Sequence, residues 1–408
     1  MKTKHATTLL FLLFSMSVVA QGTWVAKANF GGAARYGGTG FSIGTKAYLG
    51  TGGENTFTKT FWEYDASQNA WTQKADFPGP GRYQAVGFSI AGKGYIGTGG
   101  AGLTFPFTPL YNDFWQYDPG NNTWAQKANF GGVSRGAAVG FSIGNKGYIG
   151  TGFNDNTFFQ KDFWEYDPSN DQWIQKADFA GTERCDATGF SIGNKGYIGT
   201  GGNYSSSIVL FKDFWEYDPA NDQWAQRANF GGVGRSLAVG FSIGPNGYIG
   251  TGGNFNNASY PDFWEYSPSN NKWVKKANFG GATRWLAVGF SIGNKGFIGT
   301  GGNAAFSPDF KDLWEYTPEA TAVNELDNAI NISVYPNPSN GVFSIEMDKC
   351  SETDKTELLV YDMKGELVFR SIKNKLPLSI DLSTLQRGVY FLNMTANKKQ
   401  VSKKILLE

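Results

Sequence analysis

Histidine is almost absent from this chain, because its 408 residues include only one, His5. That residue lies in the first twenty positions, which resemble a segment removed on export. Metal centres built on imidazole and nucleophile–histidine–acid triads both need histidine side chains. The sequence therefore excludes both kinds of site from the mature protein, and we predict no metal site and no cofactor.

Cysteine and excess charge are scarce as well. Cys185 and Cys350 fall in different predicted domains, which excludes a disulfide within one domain. Basic and acidic side chains number 36 and 35, for a formal net charge of +1. This balance provides no bulk field that would attract nucleic acid or an anionic membrane. We therefore predict no nucleic-acid partner.

Long apolar runs are missing after the N-terminus, so we predict no transmembrane segment in the mature chain. The first residues combine Lys2 and Lys4 with the apolar run Leu9–Phe14, and small residues precede Gln21. This order is typical of a secretory signal peptide, which we place at residues 1–20. The alternative is a buried N-terminal strand.

Glycine and aromatic residues are abundant, with 55 Gly and 16% Phe, Trp and Tyr. They recur in a repeat represented by Arg135–Trp173, in which an Arg is followed by Gly-Phe-Ser-Ile, Gly-Tyr-Ile-Gly-Thr-Gly, Phe-Trp-Glu-Tyr-Asp and a lone Trp. A period of roughly 50 residues indicates a propeller, solenoid or array. The six copies begin at Arg35, Arg82, Arg135, Arg184, Arg235 and Arg284.

Each copy is predicted to form four antiparallel strands. The first runs from the Arg through Gly-Phe-Ser-Ile, and the turn Gly144–Gly147 leads to the second. The third is Phe163–Asp167, and the turn Asp167–Asn170 leads to a fourth that carries Trp173.

The paired Gly, the Tyr and the Trp after an Asx-rich turn resemble the marks of the kelch repeat. The third copy departs from them with Phe153 at the second Gly, and the sixth has no Trp after Tyr316. Thr23–Phe30, however, has the sequence of a fourth strand without a first three. We predict an all-β, six-bladed kelch propeller over residues 21–317, closed by pairing of this segment with the last blade. The alternative is an open array.

The repeat stops before a polar linker at residues 318–330. Residues 331–408 then show short strands between turns, which predicts a small Ig-like β-sandwich. This region resembles the type A C-terminal sorting domain of type IX secretion, and the resemblance implies the type IX machinery as partner, passage through the outer membrane, and surface attachment or release. The matching residues are Tyr335-Pro336-Asn337-Pro338 with Gly341, Asp362 with Gly365, Leu385 with Gly388-Val389-Tyr390, and Lys403-Lys404-Ile405.

Antiparallel strand directions place the Arg and the loop after the paired Gly at one end of every repeat, which we call the Arg face. Its loops vary in length and carry Phe57, Phe105, Phe107, Phe158, Phe159, Tyr204, Phe255 and Tyr260, whereas the turns at the other end barely change. Ligands commonly bind variable loops on a rigid scaffold. We predict ligand binding by the six repeat Arg residues, Tyr36, Tyr83, Phe158 and Trp285, but not by Asn145 or Lys195.

Two of these assignments have structural alternatives. Six guanidinium groups around a channel mouth would suit carboxylates of acidic sugars or peptides. Each Arg could instead bond the loop carbonyls of its own blade. Trp285 is the one Trp outside a repeat position, and it could either stack on a sugar or pack between blades.

Glu183 and Asp186 flank Arg184, an arrangement found in no other copy. They are weak catalytic candidates for a sugar mutarotase or hydrolase, and the alternative is a surface ion pair. The kelch fold also resembles galactose oxidase, but that copper site needs imidazole ligands that this chain lacks. We predict an exported protein that binds carbohydrate or protein, with a carbohydrate-active enzyme or a structural surface protein as alternatives.

Overall fold

The structure, a computed structural model, describes residues 21–53, 56–102, 109–154, 158–205, 207–254, 258–303, 309–319, 332–347, 356–363, 365–373, 378–396 and 399–408. The chain divides into two compact units, Met1–Glu319 and Ala320–Glu408. The predicted signal peptide, most of the predicted linker, Cys350, Phe105, Phe107 and Phe255 lie outside the described residues. No helix with the length and apolarity of a membrane span occurs in the described part of the chain.

The first unit contains six four-stranded antiparallel sheets, which we number in chain order. The strands of sheets 1 to 3 are β2 (Thr39–Ile43), β3 (Lys46–Gly50), β4 (Phe61–Asp65) and β5 (Ala70–Lys74); β6 (Val86–Ile90), β7 (Lys93–Gly97), β8 (Phe114–Asp118) and β9 (Thr123–Lys127); β10 (Val139–Ile143), β11 (Lys146–Gly150), β14 (Phe163–Asp167) and β15 (Gln172–Lys176). Those of sheets 4 to 6 are β16 (Thr188–Ile192), β17 (Lys195–Gly199), β20 (Phe214–Asp218) and β21 (Gln223–Arg227); β22 (Val239–Ile243), β23 (Asn246–Gly250), β24 (Phe263–Ser267) and β25 (Lys272–Lys276); β26 (Val288–Ile292), β27 (Lys295–Gly299), β28 (Leu313–Thr317) and β1 (Thr23–Lys27). Two further hairpins follow sheet strands β11 and β17: β12 (Phe153–Asn154) with β13 (Phe158–Phe159), and β18 (Gly202–Asn203) with β19 (Val209–Leu210).

The core lies between neighbouring sheets, and the repeat supplies it. In sheet 3, Val139 and Phe141 of the innermost strand pack with Ile198 and Tyr217 of sheet 4 in one buried cluster. A Cβ built on Gly189 of sheet 4 would lie 2.1 Å from Val139 Cγ1, so the Gly of Gly-Phe-Ser-Ile permits this close approach. These strands are buried on both faces, and their apolar side chains pack against the sheets on either side. This burial of apolar surface holds the sheets face to face.

The N-terminal strand completes the last sheet. β1 pairs antiparallel with β28, so that Trp24 lies opposite Tyr316 and Ala26 opposite Trp314. The Trp24 ring centroid lies 5.0 Å from that of Tyr316 and 5.1 Å from that of Phe279. The predicted pairing of this segment with the sheet that holds Trp314 is confirmed.

The innermost strands begin later than the sequence predicted. β10 starts at Val139, four residues after Arg135, because Ala137 has a left-handed backbone with φ of 54°. Its counterparts all have φ between 51° and 62°. Each of the six N–H groups donates to the carbonyl of the counterpart in a neighbouring sheet over 2.9–3.3 Å, which makes a closed ring. The six members of this axial ring are Gly37, Gln84, Ala137, Asp186, Leu237 and Leu286.

The second unit contains two antiparallel sheets. One has the strand order β29 (Ile332–Tyr335), β30 (Val342–Met347) and β33 (Leu378–Asp381). The other has the order β32 (Leu367–Lys373), β31 (Thr356–Tyr361), β34 (Gly388–Ala396) and β35 (Lys399–Leu407). Buried side chains from both sheets, including Phe343, Ile345, Leu358, Leu392 and Ile405, share one core. This arrangement is a small β-sandwich, as predicted.

Candidate functional site

The repeat Arg is a structural residue of its own sheet. Arg135 donates through Nη1 to the carbonyl of Thr151 (2.9 Å) and through Nε to the carbonyl of Val133 (3.1 Å). Nη1 and Nη2 also bind the two carboxylate oxygens of Asp162 at 2.6 and 2.7 Å. The guanidinium carbon lies 4.9 Å from the ring centroid of Phe130. All three guanidinium nitrogens are therefore bonded inside the protein, and one face of the group packs on an aromatic ring.

The prediction that these Arg residues contact a ligand is wrong. Five of the six side chains are 0% exposed and Arg35 is 3% exposed, so a ligand does not reach them. The alternative, in which each Arg bonds the loop carbonyls of its own blade, is what the contacts show. The carbonyl acceptors sixteen residues after each Arg are Thr51, Thr98, Thr151, Thr200, Thr251 and Thr300.

The partner of the Arg in sheets 2 to 6 is the Asp that directly precedes the third strand of the same sheet. Asp162 accepts a hydrogen bond from Trp164 Nε1 at 2.8 Å in addition to its two bonds from Arg135. Burial would raise the pKa of Asp162, but the bonds and charge of Arg135 outweigh it and lower this pKa. The recurrence of the Asp in the copies after the first was the sequence signal for this pair.

The Arg-face loops instead enclose a pocket of about 650 Å³. Five members of the axial ring line it, its aromatic side chains come from sheets 1 to 4, and the hairpins β12–β13 and β18–β19 contribute to its wall. We call this the aromatic pocket. Its lining residues are Tyr36, Tyr83, Gln84, Gly100, Leu110, Gly136, Ala137, Phe153, Phe158, Phe159, Cys185, Asp186, Tyr204, Ser205, Ile208, Leu237 and Leu286.

Three of the predicted ligand-binding residues meet in this pocket. Tyr36 and Tyr83 follow the repeat Arg in sheets 1 and 2, and Phe158 comes from the hairpin of sheet 3. The Phe158 side chain is 46% exposed, which makes it the most accessible of the three predicted aromatic residues here. Phe57, another aromatic residue of these loops, stacks on Tyr83 with ring centroids 4.6 Å apart. The sequence thus placed these residues on one face without showing that they share one cavity.

Trp285 does not join them, and its prediction as a stacking residue is wrong. Its side chain is only 3% exposed and is not among the residues that line the pocket. A Cβ built on Gly253 of sheet 5 would lie 2.3 Å from Trp285 Nε1, so the indole packs directly on that Gly. Trp285 belongs to sheet 6, and the alternative of packing between blades is what the structure shows.

Asp186 is the acid at the base of the aromatic pocket and the one charged member of the axial ring. Its Oδ1 accepts from Gln84 Nε2 at 2.6 Å, and its Oδ2 accepts from Cys185 Sγ at 3.3 Å and Tyr204 Oη at 3.5 Å. Desolvation raises the pKa of Asp186 to about 6 even though these bonds act to lower it. A carboxyl group that titrates near neutrality inside a pocket is a functional-site candidate.

Glu183 is not part of this site, so the predicted pair of carboxylates is not assembled. The Glu183 side chain is exposed and does not line the pocket, whereas Asp186 does. The alternative of a surface ion pair around Arg184 is also wrong, since that Arg is buried and pairs with Asp213 at 2.6 Å. Only Asp186 is left as a candidate for proton transfer.

Two other features of this region bear on its chemistry. Cys185 is a buried free thiol whose pKa is raised by burial and by Asp186, which disfavours the reactive thiolate. A smaller cavity of about 120 Å³ lies at the axis, lined by the axial ring and by Gly38, Ala85, Ala138, Ala187, Ala238 and Ala287. Within the described ranges, no three His, Cys, Asp or Glu side chains come together in a way that could hold a metal ion.

Comparison with known proteins identifies the C-terminal region and the fold of the repeats. Residues 333–408 match the family described as Secretion system C-terminal sorting domain, which indicates secretion across the outer membrane to the cell surface or beyond. The solved structure of YjhT, a kelch-type propeller protein, is similar to this chain with a TM-score of 0.62 and 19% identity. The similarity covers 71% of this chain and 97% of that one, and at this identity it shows the propeller fold alone. No curated protein matches the chain.

Proposed function

We propose that this protein is an exported binding protein that takes its ligand, a carbohydrate or a protein segment, in the aromatic pocket of the Arg face. The observation that carries the proposal is the pocket itself. Its volume of about 650 Å³ falls within the range typical of ligand sites, and six of its 17 lining residues are aromatic. Aromatic faces are the surfaces on which sugars and apolar side chains pack.

The C-terminal sorting domain supports the same proposal from a different direction. It indicates export, with the type IX secretion machinery as partner. A rigid propeller delivered to the cell surface, with its variable loops gathered on one face, is suited to capture of external ligands. We propose residues 21–317 as the binding domain and residues 331–408 as the region that the secretion machinery recognises.

A glycan array and a peptide array, both probed with the full secreted chain, test the proposal. We expect discrete ligands, and we expect Phe158→Ala to weaken their binding about tenfold or more because this ring is exposed in the pocket. Asn145→Ala is the matched control, since Asn145 is exposed in a turn at the opposite end of sheet 3. Equal losses for the two variants would contradict binding in the aromatic pocket, and no ligand on either array would favour a structural surface protein.

One observation favours a second candidate, a carbohydrate-active enzyme. Asp186 has a pKa of about 6 and lies in the pocket, as a single acid–base group for a sugar mutarotase would. A hydrolase is less well supported, because it needs two carboxylates and Glu183 lies outside the pocket. Exchange between sugar anomers measured by NMR, with Asp186→Asn as the comparison, distinguishes turnover from binding.

A further inference from the structure

The charge of the aromatic pocket restricts what it can bind. Among the described lining residues Asp186 is the one carboxylate, and there is no Lys, Arg or His. An anionic ligand would meet this carboxylate without a cation to offset it. A wholly apolar ligand would remove water from Asp186 and offer it no opposite charge, which is costly for a charged group.

The groups that face Asp186 do not neutralise it. Its partners are the amide of Gln84, the thiol of Cys185 and the phenol of Tyr204, all of which donate hydrogen bonds as neutral groups. The nearest cation in sequence, Arg184, directs its guanidinium to Asp213 and the carbonyl of Thr200 instead. The remaining ring members are Gly, Gln, Ala and Leu residues, so no other sheet brings a charge to this position.

The wall of the pocket complements a positive charge in a second way. Aromatic faces carry partial negative charge and attract ammonium groups, most strongly where water is excluded. Five of the six aromatic lining residues come from sheets 1, 3 and 4, and Tyr83 comes from sheet 2. Leu110, Ile208, Leu237 and Leu286 supply an apolar surface beside them. A ligand that carries a positive charge on an apolar body would pair its charge with the carboxylate of Asp186 and pack its body against the aromatic side chains.

We propose that the aromatic pocket binds an organic cation, an amine carried on an apolar or aromatic body, with its nitrogen paired to Asp186. This inference rests on the proposed binding function and names its ligand chemistry. The amine could belong to a free small molecule or to a lysine side chain of an external peptide, since both present the same group.

Calorimetric titration of the full chain with three probes of similar size tests the charge preference. The probes are 2-phenylethylamine, 2-phenylethanol and phenylacetate, which carry a positive, neutral and negative end on the same ring. We expect the amine to bind on the order of tenfold more tightly than the alcohol, and phenylacetate to bind most weakly. Equal affinity for the amine and the alcohol would overturn the inference.

Two substitutions test whether the charge of Asp186, and not that of another acid nearby, sets the preference for the amine. Asp186→Asn keeps the shape and an acceptor for Gln84 but removes the charge, so we expect it to abolish the preference for the amine over the alcohol. Glu183→Gln removes an exposed acid three residues away that does not line the pocket, and it should leave the preference unchanged. A preference that survives in Asp186→Asn contradicts the assignment.

The pH dependence of ligand binding by the unaltered protein provides a test that needs no variant and so does not depend on whether a variant folds. The amine needs ionised Asp186, and because the pKa of this group is raised to about 6, ionisation is lost as the pH falls through that value. We expect affinity for 2-phenylethylamine to fall about tenfold per pH unit below pH 6, with little change for 2-phenylethanol. A flat profile for the amine between pH 7 and pH 5 would count against the pairing.

Further arms identify the source of the amine and separate the two proposals. Nα-acetyl-lysine amide compared with Nα-acetyl-norleucine amide shows whether a lysine side chain suffices. If Phe158→Ala weakens all three phenyl probes while Asp186→Asn changes none of their ratios, the pocket binds ligands but not through charge. If none of the probes binds, the inference is overturned, and the arrays with Phe158→Ala still decide the proposed function.

Discussion

Arg35 differs from the other five repeat Arg residues in the partner that it finds. The position of the Asp in sheets 2 to 6 is occupied by Thr60 in sheet 1, and Arg35 Nη2 donates to its hydroxyl at 3.0 Å. Without a carboxylate, desolvation lowers the pKa of Arg35 to about 10. Trp62 Nε1, whose counterparts donate to the Asp, is buried with no partner among the described residues. One substitution in the sequence thus leaves two buried groups less well bonded.

Thr60→Asp should therefore stabilise the protein. The new carboxylate would accept two bonds from Arg35 and one from Trp62, as Asp162 does from Arg135 and Trp164. We expect the free energy of unfolding to rise by about 1–3 kcal/mol, measured by urea denaturation at pH 7. Thr45→Asp, in an exposed turn of the same sheet, should change it by less than about 0.5 kcal/mol. A destabilised Thr60→Asp protein would show that this site does not tolerate a carboxylate.

The reverse change in another sheet should be costly. Asp162→Ala leaves the Arg135 guanidinium buried without its carboxylate, for which we expect a loss of about 3–5 kcal/mol in the free energy of unfolding. The measurement is the same denaturation at pH 7. Ser169→Ala, at an exposed turn of the same sheet, serves as the control. A loss below about 1 kcal/mol would contradict the role assigned to the pair.

Acid should weaken these pairs in a defined pH range. The pKa values of Asp162, Asp262 and Asp312 are lowered, chiefly because Arg bonds outweigh burial. A carboxyl group whose pKa is lower in the folded protein than in the unfolded chain stabilises the fold above the unfolded value, near 3.9. That contribution is lost as the pH falls further, through the folded pKa values. We expect the urea midpoint to drop between about pH 4 and pH 2, with a smaller drop in Asp162→Ala.

Although β1 is only five residues long, we expect its contacts to contribute strongly to the stability of the propeller. It covers the edge of β28, which would otherwise expose unpaired backbone groups. Its Trp24 packs against Phe263 and Phe279 and donates to the carbonyl of Ala277 at 3.2 Å, which joins sheet 6 to sheet 5. The same Trp-to-carbonyl bond links each other sheet to the one before it, as Trp173 does to Ala128.

Trp24→Ala should remove this closing contact. We expect a loss of about 3–5 kcal/mol in the free energy of unfolding, as is typical for truncation of a packed Trp. The control is Val25→Thr, because Val25 is 52% exposed on the same strand and should tolerate the change. Thermal and urea denaturation followed by tryptophan fluorescence measure both. Equal effects for the two variants would show that β1 contributes only its backbone pairing.

At the scale of strands and sheets, the sequence predicted the structure well, for a physical reason. Strand order and pairing follow from apolar alternation and turn residues, and both recur six times, so β10 and β11 or Trp24 and Tyr316 could be matched by comparison of copies. The Arg–Asp pairs were missed because their partners lie 27 to 31 residues apart and meet only after the sheets fold. Trp285 was misjudged because its burial depends on Gly253, a residue of another copy.

For the whole molecule, the site was only partly predictable. The face that carries the candidate pocket, and Tyr36, Tyr83 and Phe158 on it, followed from strand direction and loop variation. The pocket did not, because its aromatic side chains come from the loops of four different sheets and meet only in the folded protein. Nor could the sequence separate Asp186 from Glu183, because the left-handed backbone at Asp186 directs the chain into the axial ring.

Removal of residues 333–408 should block export of an otherwise folded propeller. The matching family indicates that this region directs secretion, and it lies in a compact unit separate from the repeats. We expect the truncated protein to accumulate in the periplasm rather than at the surface or in the medium, as measured by cell fractionation and immunoblotting. Removal of residues 21–27 should instead destabilise the propeller. Surface display of the protein that lacks residues 333–408 would refute this assignment.

The axial ring is built from backbone hydrogen bonds alone, and five kinds of residue occupy its six positions. Gly, Gln, Ala, Asp and two Leu occupy equivalent positions there with nearly the same φ. Substitutions at these six positions can therefore change the side chains at the centre of this face, one sheet at a time, without a change in the backbone ring. Asp186 puts the one charged side chain of the ring in sheet 4, so the place of the charge on this face is set by which of the six positions carries an acid.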